Sequence, residues 1–105
     1  MAKSRYIKEE NLSLVVATYD GQTIDVSAHN GAFIQVSGDA AGTGTLKVQQ
    51  SNDGISWVDH GTAAIASGKA VYNAANLYAQ LIRSQIVLSA GPGVYNIYTM
   101  AKDQG

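Results

Sequence analysis

The pattern that most constrains this chain is a succession of short runs in which apolar and polar residues alternate. Each run is closed by glycine, asparagine or aspartate. Gln22–Ala28 is the clearest: Ile24, Val26 and Ala28 fall on one side, and Thr23, Asp25 and Ser27 on the other. Period two lets a strand bury one face and wet the other, whereas a helix buries a stripe of period 3.6. The same phase recurs in Ala32–Ser37, with Ala32, Ile34 and Val36 inward. It recurs in Thr45–Ser51, with Leu46 and Val48 inward and Lys47 and Gln49 outward. Leu12–Tyr19 is rich in Leu, Val, Thr and Tyr, and the Asp20-Gly21 that follows predicts a hairpin. His29-Asn30-Gly31 and Asn52-Asp53-Gly54 read as turns, and Gly38–Gly44 as a flexible loop.

Further on, Ile55–Asp59 carries the sole tryptophan, Trp57, and Thr62–Ser67 reads as a loop or weak edge strand between Gly61 and Gly68. Ala70–Ala90 supports two readings. Val71, Ala74, Ala75, Tyr78, Leu81 and Ile82 fit a helical stripe. A strand from Tyr78 to Ser89, with a bulge near Ile82-Arg83 where the alternation slips, fits as well. Ile82, Ile86, Val87 and Leu88 favour the strand, with a short helical turn near Asn73–Leu77. Gly91-Pro92-Gly93 predicts a turn across which Val94–Met100 pairs back. The sum is seven or eight short strands in 105 residues: one all-β domain, an antiparallel, jelly-roll-like β-sandwich. Residues 1–11, polar and charged, read as an extended N-terminal arm, and residues 12–105 as the sandwich.

Charge narrows the function. Only 14% of residues are charged, against about 25% in ordinary domains, and the net charge is −1. There is no basic stripe for nucleic acid. Lys3, Arg5 and Lys8 are cancelled by Glu9 and Glu10. No apolar run is long enough to span a membrane, and residues 1–11 lack the apolar core of a signal peptide. The absence of cysteine excludes a disulfide framework and a thiolate zinc site.

Catalytic patterns are missing as well. His29 and His60 belong to no H-E-x-x-H or close acidic cluster. Asp59 and His60 are neighbours on a strand and point to opposite faces. No G-x-S-x-G elbow occurs. Gly61–Ala70 has the wrong spacing for a phosphate loop, and Gly42-Thr43-Gly44 lacks the third glycine of a dinucleotide fingerprint. The aspartates sit mostly in turns, where their side chains cap local backbone, and nothing resembles an EF-hand loop. No enzymatic activity and no cofactor are expected. What remains is six tyrosines, one Trp and one Phe, residues enriched where proteins touch partners or sugars.

Gly44–Asp59 (GTLKVQQSNDGISWVD) resembles the G-T-L-x-V-x-x-S-N-D-G-x-x-W hairpin of small phage-encoded virion proteins with a jelly-roll-like sandwich. Leu81-Ile82-Arg83 followed by Gly91-Pro92-Gly93-Val94-Tyr95 is similar to their closing hairpin. A similar S-x-D-G-x-x-W hairpin occurs in discoidin-like carbohydrate- and lipid-binding modules, but these are longer and often carry cysteines. The resemblance implies a capsid cement or decoration protein on the capsid exterior, made in the host cytoplasm. It implies a homo-oligomer, commonly a trimer, that contacts the major capsid protein, with no nucleic acid and no membrane. Candidate contact residues are Arg5, Tyr6 and Ile7 of the arm, with Trp57, Tyr72, Tyr78 and Tyr98. Ser51, Asn52, Asp53 and Gly54 would make a structural turn. The alternative is a carbohydrate-binding module or tail-associated adhesion domain, with Trp57 or a tyrosine exposed beside a polar groove.

Overall fold

A computed structural model of the chain describes residues 5–26, 29–75, 77 and 79–102. These residues form nine strands: β1 (Arg5–Leu14), β2 (Thr18–Asp20), β3 (Ile24–Asp25), β4 (Gly31–Ser37), β5 (Thr43–Ser51), β6 (Val58–Ile65), β7 (Lys69–Ala74), β8 (Leu81–Ala90) and β9 (Gly93–Lys102). The first sheet has the order β1-β9-β4-β7. The second has the order β2-β8-β5-β6, with β3 also on β8. All pairings are antiparallel. Because β2 and β3 occupy one position beside β8, the nine strands fill eight places. First strand lies against last, and the chain changes sheet at most connections, which is the order of a jelly roll. The expected all-β sandwich is the fold.

Alternation decides the core. In β8 the inward residues Ile82, Ser84, Ile86 and Leu88 are buried, and each neighbour between them is part-exposed. In β9, Tyr95, Ile97, Thr99 and Ala101 are inward. Ile34, Val36, Leu46 and Val48 complete the centre. Each such aliphatic side chain, taken from water, contributes about 1.5–3 kcal/mol.

Several local readings are corrected by pairing. Asp20-Gly21 makes no hairpin, since β2 and β3 both pair β8 and not each other. Gly21 donates its N–H to the Ser84 carbonyl at 2.7 Å, and a Cβ there would lie 2.6 Å from that oxygen. The glycine serves close backbone approach, not a turn. Gly91-Pro92-Gly93 likewise does not fold β9 back on β8. It carries the chain to the other sheet, where β9 pairs β1 and β4. Ala70–Ala90 contains β7 and β8, and its described residues include no helical turn. β8 runs in register at Ile82 and Arg83. The irregularity lies at its far end, where Thr43 and Gly44 oppose Ala90 and Leu88 and leave Ser89 as the extra residue. Residues 5–11, expected as an arm, are extended but belong to β1, whose partner β9 is in the same chain. Thr62–Ser67 is largely β6, an edge strand. Its link to β7 is a two-residue turn with Ser67 and Gly68 both at positive φ (53° and 73°), as mirror-type hairpin turns require.

The Gly38–Gly44 segment is tied down by one side chain. Tyr95 is fully buried, and its hydroxyl donates to the Gly91 carbonyl at 2.6 Å. A Cβ on Gly38 would fall 2.1 Å from the Tyr95 ring, and one on Gly42 2.0 Å from its hydroxyl. These glycines give the space Tyr95 fills. Burial, and then the Asp39 carboxylate, push the Tyr95 hydroxyl above the ordinary phenol pKa.

Candidate functional site

With the inner faces spent on the core, the outer faces and loops carry whatever this protein does. On the outer face of the first sheet, pairing sets side chains in rows. Tyr6, Met100, Phe33 and Asn73 lie side by side from β1 to β7, and Lys8, Tyr98, Gln35 and Val71 form the next row. Tyr6 (51% exposed), Phe33 (40%) and Val71 (56%) all meet water. The Tyr6 and Tyr98 rings stack with centroids 6.5 Å apart, and Lys8 Nζ lies 5.8 Å from the Tyr6 centroid. The Tyr98 hydroxyl approaches Glu10 Oε2 at 3.5 Å. Burial and the Glu10 charge raise its pKa.

The outer face of the second sheet is polar. Gln85 Nε2 donates to Asp20 Oδ1 at 2.7 Å, Arg83 Nε to Gln49 Oε1 at 2.9 Å, and Gln49 Nε2 to Asp59 Oδ1 at 2.9 Å. Arg83 Nη1 lies 3.9 Å from Asp20 Oδ2. The Arg83 guanidinium also sits 4.5 Å from the centroid of the half-buried Trp57 ring, a cation–π arrangement. One network therefore crosses β2, β8, β5 and β6.

The β5–β6 turn is held by side chains of Ser51, Asn52 and Asp53. The Ser51 hydroxyl donates to Asp53 Oδ1 and accepts from the Gly54 N–H, and Asp53 Oδ1 also accepts from the N–H groups of Ile55 and Ser56 at 2.8 and 2.9 Å. These backbone donors lower the Asp53 pKa. Asn52 Oδ1 accepts from the Gln80 N–H, and Gly54 takes φ 76°. The turn holds Ile55 84% exposed, and beside it lies a groove of about 460 Å³ bounded by Gln50, Asn52, Ser56, Val58 and Ala79.

Asp59 and His60 do not meet. β6 bulges there, since Val48 opposes Gly61 while Gln49 opposes Asp59, leaving His60 as the extra residue. Bulges re-aim side chains. His60 reaches across the open edge of the sandwich to β7, with Nε2 2.9 Å from the Ala75 carbonyl and Nδ1 2.8 Å from the Tyr72 hydroxyl. A carbonyl only accepts, so Nε2 carries a proton, and in the neutral ring Nδ1 accepts from Tyr72. A Cβ on Gly61 would lie 2.0 Å from that hydroxyl. Burial raises the Tyr72 pKa.

The candidate contact residues thus separate. Tyr6 and Tyr98 come together on one face. Trp57 lies on the other, under Arg83. Tyr72 is held at the edge by His60, and Ile7 packs against the core. Arg5, in β1, pairs Ala101 of β9. Tyr78 lies outside the described residues. Sequence reading missed Phe33, Val71 and Met100, although their phase, opposite to Ile34, Ala70 and Ala101, marks them as outward. It also missed the Arg83 network, whose members stand up to 65 residues apart. Among the described residues, no three His, Cys, Asp or Glu side chains are grouped to hold a metal ion, and no helix is long and apolar enough to cross a membrane.

No protein family and no curated protein matches the chain by sequence. Among solved structures, it is similar to the SPBc2 prophage-derived protein YomS, with a TM-score of 0.62 and 7% identity over 96% of both chains. A structure of a family 6 carbohydrate-binding module gives a TM-score of 0.45 and 15% identity over 83% of this chain and 67% of that one. At 7% identity the likeness to YomS is one of fold, and it extends over nearly the whole sandwich.

Proposed function

We propose that this chain is a non-enzymatic phage virion protein, a capsid cement or decoration protein that associates with itself and with the major capsid protein on the capsid exterior. The observation that carries the reading is the aromatic outer face of β1-β9-β4-β7, where Tyr6, Phe33, Val71 and Tyr98 form a contiguous surface in contact with water. Exposed apolar patches of this kind mark interaction sites. The fold shared with a prophage-derived protein and the low charge support it. Co-sedimentation with capsids, together with light scattering of the free chain, tests the reading. Capsid binding and a mass above one chain are expected. A strict monomer that leaves capsids in the supernatant rejects it.

A second reading, carbohydrate binding, draws on the other face. The Asp20–Gln85 and Arg83–Gln49–Asp59 hydrogen bonds fix planar polar groups beside Trp57, a combination that suits sugar hydroxyls and ring faces. Its probes are a glycan array and Trp57 fluorescence. Absence of hits and of any quenching removes it.

A further inference from the structure

We propose that the outer face of β1-β9-β4-β7 packs against the same face of a second copy of this chain, around a two-fold axis parallel to the strands. The inference rests on the self-association proposed above and names its surface and its geometry.

The placement of charge on this face selects the packing. Below the rows Tyr6–Met100–Phe33–Asn73 and Lys8–Tyr98–Gln35–Val71 runs a third, Asn96–Ser37–Lys69. Glu10 stands at its β1 end, where its carboxylate meets the Tyr98 hydroxyl. The centre is aromatic and apolar. Within these three rows the charges lie on the two edge strands, Lys8 and Glu10 on β1 and Lys69 on β7, while Lys102 of β9 stands outward one row beyond Met100. Within one chain Glu10 and Lys69 are three strand spacings apart, about 14 Å, too far to pair.

Face-to-face packing of two like surfaces is isologous: whatever one copy contributes, the other contributes too. A two-fold axis parallel to the strands sets each β1 over the other copy's β7 and each β9 over the other copy's β4, with the rows at equal height. Glu10 then faces Lys69 of the second copy, and the pair forms twice. Met100 faces Phe33, a sulfur–aromatic contact. Lys8 lies over Val71, where its methylene stem can cover the apolar surface while its ammonium stays in water. The other in-plane two-fold, perpendicular to the strands, sets β1 on β1 and opposes Lys8 to Lys8. Charge therefore selects the first axis, and aligned sheets are a common way for two such faces to meet.

Four strands about 4.8 Å apart and three rows about 6.7 Å apart make roughly 400 Å² per copy, or about 800 Å² for the pair. That is smaller than a standard specific interface and in the size range of weak, transient contacts, so association of the free chain is weak and concentration-dependent. On a capsid lattice, simultaneous attachment multiplies such contacts. The two-fold makes a dimer where the resemblance to phage virion proteins implies a trimer.

Light scattering or sedimentation equilibrium over a concentration series tests this. The expected species has twice the 11.0 kDa chain mass. Phe33→Asp places a charge on a central strand of the interface, against Met100 of the other copy, twice over, and raises Kd about a hundred-fold or more, with an unchanged circular dichroism spectrum. Glu10→Lys and Lys69→Glu each raise Kd about ten-fold, because each change counts twice. The double exchange Glu10→Lys/Lys69→Glu returns Kd to within about three-fold of the unaltered chain. A three-chain particle, or exchanges that add rather than cancel, overturns the two-fold. Self-association or capsid binding indifferent to Phe33→Asp overturns this face and leaves the self-association reading standing. A strict monomer without affinity for capsids overturns both.

Discussion

On the outside of the second sheet, polar side chains satisfy one another: Gln85 serves Asp20, Arg83 serves Gln49, and Gln49 serves Asp59. On the outside of the first sheet, Tyr6, Phe33 and Val71 present apolar surface to water. Both sheets obey one pleat and bury equivalent inner faces. The difference outside therefore owes nothing to the fold. It shows that a strand's outward positions are free to be spent, on a self-contained network in one sheet and on a contact surface in the other.

The inner faces should be equivalent. Ile34→Ala in β4 and Ile86→Ala in β8, both at 0% exposure, should each cost about 2–4 kcal/mol in urea unfolding. A large cost in one sheet and a negligible one in the other would break the premise. Gly38→Ala should rival them, because its methyl would have to displace the Tyr95 ring. A fall in Tm on the order of 10 °C or more is expected.

The outer faces should then part company. Arg83→Ala removes the hydrogen bond to Gln49 and the stack on Trp57, and should cost about 1–2 kcal/mol and shift the Trp57 emission. Phe33→Ser on the opposite face should change the stability of the monomer by no more than about 0.5 kcal/mol, because nothing in the core depends on it. If Phe33→Ser destabilises as much as Arg83→Ala, the first sheet's outer face is structural rather than free for a partner.

The smallest effect concerns pH. The folded turn lowers the Asp53 pKa, so the ionised form favours folding. Its contribution is complete above the ordinary carboxylate value near 3.8 and is lost as pH falls through the lowered folded value. The stability gap between the unaltered chain and Asp53→Ala, measured by chemical unfolding, should be widest near neutrality and narrow below about pH 4. A gap that widens on acidification would show that the carboxylate does not hold the turn.

Much of this was legible in the residues. The Ser51–Gly54 turn reads directly from its side chains, because each bond made by Ser51 and Asp53 spans three residues or fewer. The inward set Ile34, Val36, Leu46 and Val48 follows from period two. The aromatic face was half-legible. Tyr6 and Tyr98 were singled out as tyrosines, but neither could be joined to Phe33 or Met100 until β1, β9 and β4 were known to be neighbours. The rule that adjacent strand residues oppose each other keeps Asp59 and His60 apart, as they are, but it does not place His60 on Tyr72 and Ala75, because that depends on a bulge and on a partner strand.

Alternation of side chains is a property of one strand, and by itself the sequence determined which residues of β3, β4 and β5 face the core and that the chain is an all-β sandwich. Which strands are neighbours is a property of two distant segments, and only the tertiary structure decided it. Asp20-Gly21 and Gly91-Pro92-Gly93 carry the local chemistry of hairpins, yet neither makes one. Burying the inner faces of β2, β3 and β8 against those of β1 and β9 outweighs the preference of any turn.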